Sequence, residues 1–206
     1  GKEIKRDMEV GLLGNTAATT GGASLSARVS AGAENWIYIP NHISTNGTTT
    51  SSTVAPASGF ATGAVTDGSA TAFVETGLQS LLQQAWSTGG ETDVILCGPT
   101  IYNKISAFTG IATRFRNVES KSQAQIIGAA DVYVSAYGSH KIQLSRYCRS
   151  TTVFAFDMST WSVAYLRPFQ VTEIAKVGDA DRKMLLAEYT LVAKSPLANT
   201  KATAVS

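Results

Sequence analysis

Chemistry-bearing residues are scarce in this chain of 206 residues, which holds two histidines, two cysteines and five prolines. Cys97 and Cys148 lie far apart, each beside apolar neighbours, as in Val94-Ile95-Leu96-Cys97 and Tyr147-Cys148. That setting reads as two buried free thiols. A disulfide does not follow from a single pair, and neither cysteine has a neighbour at metal-ligand spacing. An excess of one charge is also missing. Seventeen basic residues stand against 15 acidic ones, a formal net charge of +2. The balance excludes the electrostatic footprint of a dedicated nucleic-acid binder and a polybasic membrane segment. No run approaches the roughly 20 apolar residues of a transmembrane helix, and no signal peptide is visible. The chain opens at Gly1 directly in a charged helical pattern, which reads as a piece of a longer protein or a mature chain.

What is present is ordinary for a globular domain, with 44% apolar residues. The first 18 residues pattern as a helix. Ile4, Met8 and Leu12 form its stripe, Glu3 and Arg6 pair on its charged face, and Gly21-Gly22 ends it. Asn35 to Pro40 reads as a strand or anchored loop. Residues 44–71, rich in Thr, Ser, Gly and Ala, read as a long surface loop or arm. Its Asn46-Gly47-Thr48 sequon is taken as chance. Residues 73–88 predict a helix with Val74, Leu78, Leu81, Leu82, Ala85 and Trp86 on one face. A buried strand, Asp93–Cys97, and a helix over 100–108, started by Gly98-Pro99, follow. Three strand pairs are then expected: 132–134 with 141–144, 153–156 with 161–166, and 171–177 with 183–193. From Ser195 the chain reads as a loosely held tail.

Little in the chain points to catalytic chemistry. His42 stands in a loop and His140 at a hairpin turn, and no third residue completes a Cys148–His140 pair. Asp179 and Asp181, within Gly-Asp-Ala-Asp-Arg, read as turn residues. Gly98-Pro99-Thr100 lacks the glycine-rich loop and lysine of a phosphate cradle. Arg114, Phe115 and Arg116 form a basic–aromatic patch that inter-subunit pairing explains as well as nucleic acid. Trp36, Trp86 and Trp161 read as core or inter-subdomain anchors rather than ligand platforms.

The order of several segments resembles the SU-ten-like major head proteins of tailed double-stranded DNA phages. The opening Gly1–Glu9 looks like the end of a spine helix. Ala85-Trp86 before Gly89-Gly90, Ile95–Pro99, Lys104–Phe108 and Asp131–Ser135 follow the family's text, and Trp-Ser-Val-Ala-Tyr-Leu-Arg-Pro-Phe at 161–169 is the most specific piece. Ala175–Asp179 and Glu188–Leu191 complete the resemblance. It implies an α+β protein with the Hong-Kong-97-type capsid fold, whose N-terminal arm and extended loop are absent here. Residues 1–33 would be the peripheral domain's spine-helix end, 34–166 the axial domain, and 167–206 the peripheral return strands and tail. The implied function is a virion major capsid protein, without enzymatic activity, cofactor or metal. It would self-assemble in the host cytoplasm as hexamers and pentamers into an icosahedral shell around double-stranded DNA. Portal, scaffold or decoration proteins are the further partners; packaged DNA is touched only non-specifically, and no membrane is involved. An encapsulin-like compartment shell of the same fold is the alternative; a hydrolase using Cys148 or the Asp179/Asp181 pair and a secreted adhesin-like β domain are weaker rivals. The expected inter-subunit contacts are Arg6, Arg114, Arg116, Lys121, Asp179, Asp181 and Arg182, charges of both signs that could meet a second copy.

Overall fold

In the computed structural model, residues 1–19, 21, 27–38, 40–44, 64–67, 69–108 and 132–206 are described. The elements run α1 (Lys2–Leu13), α2 (Ala33–Trp36), β1 (His42–Ser44), α3 (Glu75–Ser87), β2 (Val94–Cys97), α4 (Pro99–Ser106), β3 (Val132–Ser135) and β4 (Gly138–Leu144). They continue with β5 (Val153–Phe156), β6 (Trp161–Val177), β7 (Ala180–Ala193) and β8 (Thr200–Thr203). The result is a mixed α+β protein. One sheet has six strands in the order β1-β8-β5-β2-β4-β3, and β6 and β7 make a separate two-stranded ribbon.

The alternation of β5 builds the core. Successive strand residues point to opposite faces, so Val153 and Ala155 share one face and Phe154 and Phe156 the other. On the first face Ile95, Cys97, Tyr133, Ile142 and Ala202 join them, packed under Leu78, Leu81 and Leu82 of α3 and Ile101 and Ile105 of α4. On the second face, Ala33, Ile37, Cys148 and Leu191 surround Phe154 and Phe156, with Leu12, Trp36 and Trp161 at the margin. Phe154 and Phe156 stack at 5.0 Å, and Trp161 meets Phe156 edge-on at 5.5 Å. The sheet is therefore covered by α3 and α4 on one side. On the other side lie α2, the end of α1 and the root of the ribbon.

Local signals hold where they are strongest. Met8 is buried and Ile4 and Leu12 half-buried on α1, and Pro99 opens α4 in its first turn. The β3–β4 hairpin pairs Val132 with Lys141 and Ser135 with Gly138. Residues 171–177 and 183–193 lie in the β6–β7 ribbon, in register at Val171–Leu185 and Thr172–Met184.

Other expectations are corrected. Helix α1 stops at Leu13, because Gly14 turns extended and the Gly32 backbone sits directly on its carbonyl, where a Cβ would have no room. Of the strand or anchored loop expected over Asn35 to Pro40, Asn35 and Trp36 instead close a single helical turn, Ala33–Trp36. The strand 153–156 does not pair with 161–166. It lies between β2 and β8, and a 3₁₀ turn at Met158–Thr160 carries the chain out of the sheet before β6 begins. Trp86 is 62% exposed rather than core. The arc of α3 is filled by Leu78, Leu81, Leu82 and Ala85, and residue 86 falls roughly a quarter-turn from its centre; the ring rests against Tyr137 at 6.0 Å. His42 and His140 lie in strands and are almost fully buried. The end of the chain is no loose tail: β8 is an inner strand between β1 and β5, buried at every residue. The arm expected over 44–71 and the polar stretch 112–125 fall largely or wholly outside the described residues.

Candidate functional site

The ribbon is the feature that the core does not explain. β6 spans 17 residues and β7 14, and they pair only with each other among the described residues. Their root is anchored: Leu191 is buried, Ser30 Oγ and Thr190 Oγ1 lie 3.0 Å apart, and the Leu191 amide donates to Ser30 Oγ at 3.3 Å. Beyond the root the strands are open to solvent. Leu166 is 71% exposed and Val171 65%, with Tyr165, Phe169, Ile174 and Met184 also exposed. Tyr165 and Phe169 lie 6.0 Å apart between ring centres. With Val163 they wall a groove of about 240 Å³ whose other side is Lys5, Met8, Glu9 and Leu12 of α1. So many large apolar side chains left open on one ribbon make it a candidate interaction site. A two-stranded ribbon alone is only marginally stable in water, and among the described residues neither of its outer edges is paired with another strand.

Charges of both signs border this surface. Arg167 and Glu188 pair at 3.5 Å and Lys183 and Glu173 at 3.7 Å. At the tip, Gly178 takes a positive φ of 75° to make the turn. Asp179, Asp181 and Arg182 are exposed beside it. Arg6 lies on the outer side of α1, paired with Glu3 at 2.8 Å. The tip thus gathers three of the charges singled out in the sequence, and Arg6 stands apart on the helix. Arg114, Arg116 and Lys121 lie outside the described residues.

A second polar cluster is buried behind the sheet. Arg149 bonds Glu34 at 2.6 Å and also pairs with Asp67. The Lys201 ammonium donates to the Glu34 backbone carbonyl, and Thr152 Oγ1 donates to the Glu34 carboxylate at 3.4 Å. Glu34, Lys201 and Thr152 have no exposed surface. Burial dominates both charges: it raises Glu34, against the pull of Arg149 and Lys201, and lowers Lys201 to about 7, against the pull of Glu34. The cluster ties α2, residue 67, the start of β5 and β8 together. Nothing in the sequence marked it, since its members are isolated polar residues in four distant segments.

The two cysteines and His140 are each engaged elsewhere and form no nucleophile pair. Cys148 Sγ faces the Thr152 carbonyl at 3.5 Å, and burial pushes its thiol up to about 12 and that of Cys97 to about 11, so neither is a ready thiolate. His140 is held by the Thr92 carbonyl at 2.6 Å and Ser135 Oγ at 2.9 Å, not by Cys148. Burial lowers its pKa below the usual histidine value. Among the described residues, no three His, Cys, Asp or Glu side chains gather as a metal site.

A family model described as SU10 major capsid protein matches residues 1–206, the whole chain. No curated protein matches it. Among solved structures, the crystal structure of a virus-like particle from Pyrococcus furiosus aligns with a TM-score of 0.38 and 15% identity, over 67% of this chain and 55% of that one. The chain thus spans little more than half the length of that structure's chain.

Proposed function

Because the chain belongs to the SU10 major capsid protein family, we propose that it is the shell subunit of a virion: copies bind one another as hexamers and pentamers to close an icosahedral capsid around double-stranded DNA. The Hong-Kong-97-type arrangement is part of this reading. The six-stranded sheet with α2, α3 and α4 is the axial unit, and α1 with the β6–β7 ribbon is the peripheral one. In this division the final residues, through β8, join the axial unit because β8 lies inside its sheet.

The observation that supports the reading is the ribbon. It extends open apolar residues, with Leu166 and Val171 the most exposed, from a root packed into the core. Such a surface is stabilised when a second copy covers it. The near-neutral charge suits the proposal, since self-association needs complementary patches rather than one large field. DNA would then be enclosed through weak, non-specific contacts. Assembly in the host cytoplasm and any portal, scaffold or decoration partners belong to the same proposal. No residue is assigned a catalytic role.

The test is assembly of the protein carrying Leu166→Asp or Val171→Asp, followed by sedimentation and electron microscopy. The proposal expects a folded subunit that no longer enters particles formed by the unchanged protein. Normal particles from both variants would move the interface elsewhere.

A further inference from the structure

One buried amide sits where the ribbon leaves the sheet. Asn199 has no exposed surface. Its Oδ1 accepts from the Asp157 amide at 2.8 Å and from Trp161 Nε1 at 2.8 Å. Its Nδ2 donates to Thr160 Oγ1 at 2.9 Å and to the Ser195 carbonyl at 3.0 Å. Two donors and two acceptor sites are all that an amide side chain has, so every one is used.

The partners' positions give the arrangement its meaning. Asp157 directly follows β5, Thr160 ends the 3₁₀ turn, Trp161 opens β6, Ser195 follows the end of β7, and Asn199 itself precedes β8. The Asn41 side chain also donates to the Asn199 backbone carbonyl at 2.9 Å. One side chain therefore joins both strands of the ribbon to two strands of the sheet. Close by, the Lys194 amide donates to the Thr160 carbonyl at 2.9 Å, and the Trp161 ring lies on Phe156. Farther out, the exposed ribbon runs past α1 into solvent. From Trp161 to the tip β6 extends roughly 50 Å at the usual rise, so a rotation of roughly 10° at the root carries the tip roughly 9 Å.

We infer that Asn199 is a positioning residue that fixes the angle at which the ribbon departs from the sheet, and through it the angle at which one copy meets the next. The second half of this inference rests on the shell-forming reading; the first half does not. Replacement by Asp keeps the shape but removes both N–H donors, to Thr160 and Ser195. Trp161→Phe keeps a ring on Phe156 but removes one of the four bonds.

The experiment measures the distance distribution between spin labels at Asp179→Cys, on the ribbon tip, and Ala136→Cys, on the β3–β4 turn. Labelled protein is diluted into unlabelled protein; Cys97 and Cys148 are buried. The expected result is a narrow distribution in the otherwise unchanged protein. Asn199→Asp should shift and broaden it, and Trp161→Phe should broaden it less, with the circular dichroism spectrum retained. An unchanged distribution in Asn199→Asp overturns the inference; if that variant does not fold, an unchanged distribution in Trp161→Phe overturns it. Particle diameter is then read by electron microscopy. Particles of changed diameter or mixed curvature from the variant support the assembly half, and particles of unchanged diameter refute it. If the unchanged protein forms no particles, the shell reading and with it the assembly half fail, while the label distances still decide the role of Asn199.

Discussion

Acidification should loosen this protein through His42. The ring is wholly buried in β1, its Nε2 lies 2.6 Å from Thr203 Oγ1, and its Nδ1 has no hydrogen-bond partner among the described residues. Burial, aided by the Lys201 charge, lowers its pKa from 6.5 to about 4. The unfolded chain thus binds a proton over a range where the folded chain does not. The stability this contributes is complete above the ordinary value, falls as pH drops, and is gone below the folded value. At about 1.4 kcal/mol for each pH unit between the two, the full loss is about 3 kcal/mol. A loss of that size is a large fraction of a domain's stability. The assay is urea unfolding from about pH 7 to about pH 4 on the unchanged protein and on His42→Gln, which keeps a polar partner for Thr203 but cannot be protonated. The two curves share every other titrating group, including Glu34, whose raised pKa acts in the opposite sense. The unchanged protein should therefore lose about 3 kcal/mol more than the variant across the range. Parallel curves, differing by less than about 1 kcal/mol in their fall, would refute the argument.

Further outcomes follow from the same packing. Trp161→Ala removes a half-buried ring and one hydrogen bond, and should cost about 2–3 kcal/mol, a melting shift of about 5–10 °C; Trp161→Phe should cost about 1 kcal/mol, and thermal melts distinguish the two. Lys201, lowered to about 7 from 10.5, contributes stability that is present above its ordinary value and lost as pH falls through the lowered one; urea unfolding between those values should show a rise with pH that Lys201→Met abolishes. Arg182→Glu and Asp179→Lys, at exposed positions of the ribbon tip, should change stability by under ~0.5 kcal/mol while reducing particle yield, read by a thermal melt beside sedimentation.

How much of this could be read from the sequence depends on whether a segment's own pattern decides its place. The alternation through 171–177 and 183–193 gave the ribbon, because the side chains and the Gly178 turn agree. Helix α3 was legible from Leu78, Leu81, Leu82 and Ala85, each buried. Strand β8 was not: Thr200, Lys201 and Thr203 look like solvent-facing residues. They are buried only because distant groups satisfy them, the Leu81 carbonyl for Thr200, Glu34 for Lys201 and His42 for Thr203. The same is true of Asn199, whose four partners span residues 157–195. Trp161 looked like the return strand of a hairpin with 153–156, but the 3₁₀ turn and Asn199 send it into the ribbon instead. The charged tip was visible as a turn with flanking charges; the more telling open apolar residues were not, since the exposure of Leu166 and Val171 depends on no described residue packing over them.

The central claim is that the open ribbon is the surface by which copies of this chain form a shell. The most direct measurement is sedimentation velocity of the full-length protein beside the same protein carrying both Leu166→Asp and Val171→Asp, with electron microscopy of each fraction. The account predicts capsomers or closed particles for the first and a folded, slowly sedimenting subunit for the second. Closed particles from both, or a subunit that never assembles in either, would contradict it.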